Sequence, residues 1–205
     1  MARDDERLER SHEDPIVGSL PDLPGILTAL ELTPELGIHL RGLADELLVN
    51  DFAGATISRS EREMLATAVS AANDCFFCMD SHAAHAGALL EADGAVERLP
   101  LLEEIKIGAF DGFDAKMQAL LHIARTVRGD ARELSADDVA AAQAAGATDA
   151  DVQLAVLIAA GFSMYNRLVE GFRARTAPVT EVYRERAGQI AAHGYSARPA
   201  PASAG

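Results

Sequence analysis

The sequence predicts an all-α, single-domain protein, and three observations carry that expectation. Alanine, leucine and glutamate, which favour helix, dominate the chain, while the strand-favouring aromatic residues make up only 5% of it. Apolar residues recur at helical spacing, and no segment with a two-residue period competes. The apolar runs are also punctuated by residues that open and close helices. With 49% hydrophobic residues over 205 positions, the chain can bury one substantial core without metal or disulfide staples.

Taken in order, residues 1–19 read as a charged, flexible arm, opening on MARDDERLERSHEDP and lacking the apolar stretch of a secretory signal. The helical domain is expected over 20–194. Thr33-Pro34-Glu35 opens a helix to about Asn50, with proline at the first helical position. Ser58-Arg59-Ser60-Glu61 is a capping box, and the helix it opens stops near Asn73-Asp74. The next helix carries CFFCMDSHAAHAGALLEA and closes at Asp93-Gly94. After a loop containing Pro100, helices are expected at 114–129, from Ser135 to Gly146, from Thr148 to about Phe172, and over about 179–193. Residues 195–205, rich in Ala, Pro and Ser, read as a disordered tail.

Eighteen basic residues against 32 acidic give a net charge of −14. This charge disfavours nucleic acid and anionic membranes as partners and favours solubility. No apolar run reaches the roughly 20 residues that span a bilayer. The cytoplasm is therefore the expected compartment, and a close cysteine pair there points to catalysis or metal binding before a structural staple.

The two cysteines of the chain fall within four residues, in NDCFFCMDSH. Such a pair can be a redox couple, half a metal site, or buried packing. On one helix Cys75, Cys78, His82 and His85 share a stripe about 80° wide at ~100° per residue. Cys78 and His82 are one turn apart, so the imidazole can take or stabilise the thiol proton. Cys75, at the helix start, would gain from the unpaired N–H groups there. The four cannot all hold one zinc, because Cys75 and His85 lie ~15 Å apart along the axis; a site shared with other elements remains open.

An antiparallel pairing of the helices on either side of Asn73-Asp74 brings together residues whose numbers sum to about 147. Glu63 then lies level with position 84, between His82 and His85, on a face with Ala66, Thr67 and Ser70. A carboxylate level with a histidine one turn from a thiol has the layout of a proton relay. The plainer alternative pairs Glu63 with Arg59 or Arg62 at the surface.

The order Glu63, eleven residues, Cys75, two residues, Cys78, three residues, His82 resembles the signature of the AhpD-like alkylhydroperoxidases of the carboxymuconolactone decarboxylase superfamily. The flanking text of residues 30–175 is similar to the peroxidase-related branch. The resemblance implies an all-helical bundle that works without metal, flavin or other cofactor and assembles as a homo-oligomer. It implies a small hydroperoxide substrate and an external dithiol reductant. Cys78 would attack the peroxide, Cys75 would resolve the sulfenic acid as a disulfide, and Glu63 and His82 would move the proton. Some members carry a histidine immediately before the second cysteine; Phe77 stands here, so the relay is shorter, takes in His85, or supports only poor peroxidase activity. Tyr165-Asn166-Arg167 is expected to support the helix pair. Two other readings remain: a cofactor-free lactone decarboxylase-like lyase, and a non-catalytic redox-sensing module.

Overall fold

The computed structural model describes residues 23–174 and 180–196, so the expected arm and positions 197–205 of the expected tail lie outside the described residues. Among the described residues are nine α-helices and no strand. They are α1 (Ile26–Leu32), α2 (Pro34–Leu48), α3 (Arg59–Ala72), α4 (Phe76–Ala92), α5 (Leu101–Lys106), α6 (Ala115–Asp130), α7 (Ala136–Ala144), α8 (Asp149–Gly171) and α9 (Thr180–His193).

Helix starts follow side-chain chemistry. Ser58, Ser135 and Thr148 each form a reciprocal capping box, with Glu61, Asp138 and Asp151 returning the bond to the cap backbone. Thr33 differs: Pro34 follows it as expected, but its hydroxyl makes no capping bond. Gly94 takes up the left-handed turn expected after α4, with φ 73°. Helices α1 and α5, of seven and six residues, carry no side-chain cap and were not anticipated. Helices this short are marginal alone and form because packing holds them, as Leu30, Leu102 and Ile105 show by their burial.

Helix α3 is the centre of the molecule, packed against α4, α6, α8, α5 and α2. Every residue of it from Ser60 to Ser70 is buried. Its alanines and Ser70 let neighbouring helices approach on all sides, which brings Glu61, Arg62 and Glu63 indoors as well. The main core gathers Leu48, Met64, Leu65, Leu120, Ile158 and Phe162 around it.

Helix α8 corrects the expectation that no segment is long enough to span a bilayer. It has 23 residues and a stretch of mean hydropathy 1.4, sufficient by length and composition alone. Half of that stretch is buried within the fold. Its apolar character is that of a core helix serving α3 and α6 on one side and α1 and α2 on another.

Candidate active site

The turn between α3 and α4 fixes the site. Asn73 caps α3 and Asp74 follows with φ 56°, a left-handed conformation that Asn and Asp tolerate better than most. Asn73 donates through Nδ2 to Asn166 Oδ1 at 2.9 Å and accepts from Arg128 Nε at 2.6 Å. Asn166 in turn donates to Ser70 Oγ at 3.1 Å, and the Cys75 N–H returns to the Ser70 carbonyl at 3.0 Å. Asn166 thus gives the hairpin the support expected of it. Tyr165 instead donates to the Leu40 carbonyl at 2.6 Å and lines the cavity below, while Arg167 donates to the Ser163 carbonyl of its own helix.

Cys75 does not belong to the helical wheel drawn from the sequence. It is the N-cap of α4, with ψ 87°, and the helix begins at Phe76, leaving Cys78 as its third residue. Both sulfurs are buried and unbonded, 2.8 Å apart, within a small apolar cluster that includes Phe77, Val169 and Tyr183. The Cys75 thiol donates toward Cys78, and that bond, together with burial, pushes its pKa far up. Cys75 therefore keeps its proton and offers it to Cys78.

Glu63 lies on the predicted level. Its side chain is 1% exposed, and Oε2 sits 2.7 Å from His82 Nδ1 and 3.8 Å from His85 Nδ1. The alternative of a surface pair with arginine is overturned: Arg59 caps the Ile190 and Ala191 carbonyls at the end of α9, and Arg62 binds the Asn50 carbonyl. Burial pushes the Glu63 carboxyl up, but the His82 hydrogen bond and the nearby His85 imidazole outweigh it and hold the pKa at about 2.

The sequence reading missed Tyr195, which it assigned to the tail. Gly194, with φ 78°, turns the chain back after α9; a Cβ there would meet Asp45 Oδ1 at 2.8 Å. The Asp45 carboxylate accepts from the Tyr195 and Ser196 N–H groups at 2.6 and 2.9 Å. The phenol then enters the site, donating to Glu63 Oε1 at 2.7 Å and lying 2.8 Å from His85 Nδ1. Only the glycine after the last helical residue signalled such a return.

These contacts assign the protons. Burial and the neighbouring Glu63 carboxylate raise the Tyr195 pKa well above 10, so the phenol stays neutral and gives its proton to Glu63. His85, its pKa lowered by burial, donates from Nδ1 to the phenol oxygen and leaves Nε2 buried without a partner. His82 donates from Nδ1 to Glu63, so its Nε2 carries a lone pair. Glu63, His82 and His85 have ligand atoms within 4.8 Å of one another and could converge on a cation. The 2.7 Å separation of Glu63 and His82 is shorter than the ~3.3 Å between two ligands of a tetrahedral zinc, so the arrangement is that of a hydrogen-bonded relay.

Cys78, His82, His85 and Tyr195 line one cavity of about 60 Å³; Cys75 and Glu63 stand behind its wall. Phe77, at the position where some relatives carry a histidine, is wall: it packs edge-on against Tyr183 at 5.6 Å. Of the four residues singled out from the sequence, the structure therefore brings all four to one pocket, two facing it and two backing it.

Residues 40–126 match the Carboxymuconolactone decarboxylase family, a stretch running from α2 into α6 that contains Glu63, both cysteines and His82. No curated protein matches the chain. Among solved structures, the chain is similar to an alkylhydroperoxidase AhpD core, an uncharacterized peroxidase-related protein from Ralstonia eutropha JMP134. That likeness has 25% identity and a TM-score of 0.65 over 79% of this chain and 82% of the other. An uncharacterized peroxidase-related protein from Silicibacter sp. TM1040 shares the fold at 21% identity and a TM-score of 0.64, over 83% of this chain and 91% of that one.

Proposed function

We propose that the chain, similar to the Carboxymuconolactone decarboxylase family over residues 40–126 and in fold to peroxidase-related AhpD-like proteins, is a thiol-dependent peroxidase reducing small organic hydroperoxides. The observation that carries the reading is the wholly buried, ionised Glu63 bonded to His82 beside a cavity that Cys78 faces. A carboxylate is costly to keep ionised in the interior unless its charge is used.

In this mechanism His82 Nε2 takes the Cys78 proton, directly or through a water in the cavity, and Glu63 stabilises the imidazolium. The Cys78 thiolate attacks one peroxide oxygen; the O–O bond breaks, the thiolate becomes a sulfenic acid, and the leaving alkoxide takes the proton back from His82 as an alcohol. The Cys75 sulfur, 2.8 Å away, then attacks the Cys78 sulfur. A disulfide forms, and the sulfenic oxygen leaves with the Cys75 proton as water. An external dithiol returns both thiols and is itself oxidised. That last step requires a reducing compartment, for which we propose the cytoplasm.

Helix-dipole reasoning applies to both sulfurs, which share the first turn of α4. Two facts favour Cys78 as the attacker: it lines the cavity, and Cys75 serves as its hydrogen-bond donor. The test is cumene hydroperoxide added to the reduced protein. We expect loss of both thiols and a product lighter by two hydrogens, with turnover restored by dithiothreitol; two free thiols after excess peroxide would contradict the reading.

The family match itself favours a second reading, a cofactor-free lyase acting on a lactone, in which Glu63 and His82 move the proton and sulfur has no part. A Cys75→Ser, Cys78→Ser double variant that keeps full activity on a lactone distinguishes it. We also propose a homo-oligomer. Leu36, Ile38 and Leu43 on α2 are exposed apolar side chains that assembly would cover.

A further inference from the structure

The proposed peroxidase cavity carries a feature that reduction of a neutral hydroperoxide does not use. Arg186, on α9, lines it within a chain whose net charge is −14. The guanidinium is partly withdrawn from solvent, and among the described residues it makes no hydrogen bond or ion pair. Burial and the neighbouring Arg41 both disfavour its charge, and the Tyr195 phenol lies nearby. Arg41 also lines the cavity but is already held by Glu31 at 2.5 Å. The Glu63 carboxylate does not serve Arg186, because its oxygens are taken by Tyr195 and His82. A withdrawn cation with no counter-ion among the described residues, on a side chain lining a largely apolar cavity, suits an anionic ligand.

Resting on the peroxidase reading, we propose that the substrate is an organic hydroperoxide bearing a carboxylate: Arg186 holds the carboxylate, the apolar walls of Leu30, Leu40 and Phe162 hold the carbon skeleton, and Cys78 meets the peroxide. Guanidinium and carboxylate match in planar, two-pronged geometry, which orients the ligand as well as binding it. The cavity, at about 60 Å³, is small, so the ligand is short or leaves part of its skeleton outside.

The experiment compares two acids with their own methyl esters, 3-hydroperoxy-3-methylbutanoate and 4-(2-hydroperoxypropan-2-yl)benzoate, by kcat/KM with dithiothreitol as reductant. At least one acid should exceed its ester by tenfold or more. Arg186→Met should bring that ratio to about one, and Arg186→Lys should restore part of it, with melting curves verifying that each variant is folded. Acids no faster than their esters overturn the carboxylate site while leaving the peroxidase reading intact. Calorimetry with 4-isopropylbenzoate, which carries no peroxide, reads the anion site without turnover. Binding that weakens at least tenfold in Arg186→Met supports the site even if no hydroperoxide is reduced, and equal binding overturns it.

Discussion

Glu63 has traded water for hydrogen bonds from His82 and Tyr195, and its behaviour with pH follows from that exchange. Its folded pKa, about 2, lies below the ordinary 4.5, so its contribution to stability is fully present above about pH 4.5 and is lost as the pH falls from there toward 2. Tyr195 has the opposite sign: with its pKa raised above 10, docking of the chain end is intact below that value and weakens as the pH rises through it. Tyr195→Phe removes the donor to Glu63 Oε1 and the acceptor for His85, and should cost about 1–3 kcal/mol by urea unfolding. Glu63→Gln preserves shape but cannot stabilise the imidazolium; the stopped-flow rate of peroxide reduction should fall by about 10²–10⁴. The pairing of Glu63 with His82 was legible in the sequence because a tight hairpin fixes register by counting. Tyr195 was not, because 132 residues separate it from Glu63 and no periodicity reports a chain end folding back.

At the scale of the element, helix beginnings were legible and helix environments were not. A capping box is local chemistry, so Ser58, Ser135 and Thr148 announced their helices; what surrounds α3 on every side depends on residues far away in the chain. Asp151 joins the two levels. Besides closing the α8 cap through the Thr148 N–H at 3.0 Å, it accepts from Thr56 N, Thr56 Oγ1 and Ile57 N at 2.6, 2.7 and 3.0 Å, which pins the loop before α3. Burial raises its pKa, but these bonds prevail and hold it at about 2. Asp151→Ala should therefore cost about 2–4 kcal/mol at neutral pH, with the difference from the parent shrinking as the pH falls below 3.8. Denaturant midpoints measured across that range check it. Gly25 is a second test. Its φ is 55°, and a Cβ would overlap the Phe77 ring, so Gly25→Ala should lower the melting temperature and displace the cavity wall.

For the whole molecule, the helical class followed from composition, whereas the division into a main core around α3 and a smaller apolar cluster at the cysteines did not. The shape of the pocket could not be read this way, because α1, α2, α8 and α9 meet there from distant parts of the sequence. Assembly belongs to this scale too: light scattering should give a mass above the 21.7 kDa of one chain, and Ile38→Glu should shift it toward the monomer. The most direct test of the account as a whole is sulfenic-acid trapping at Cys78 in Cys75→Ser, with and without Glu63→Gln, after a brief pulse of hydroperoxide. The account predicts rapid labelling at Cys78 that slows by about 10² or more without the carboxylate. Equal labelling in both proteins, or none in either, would contradict it.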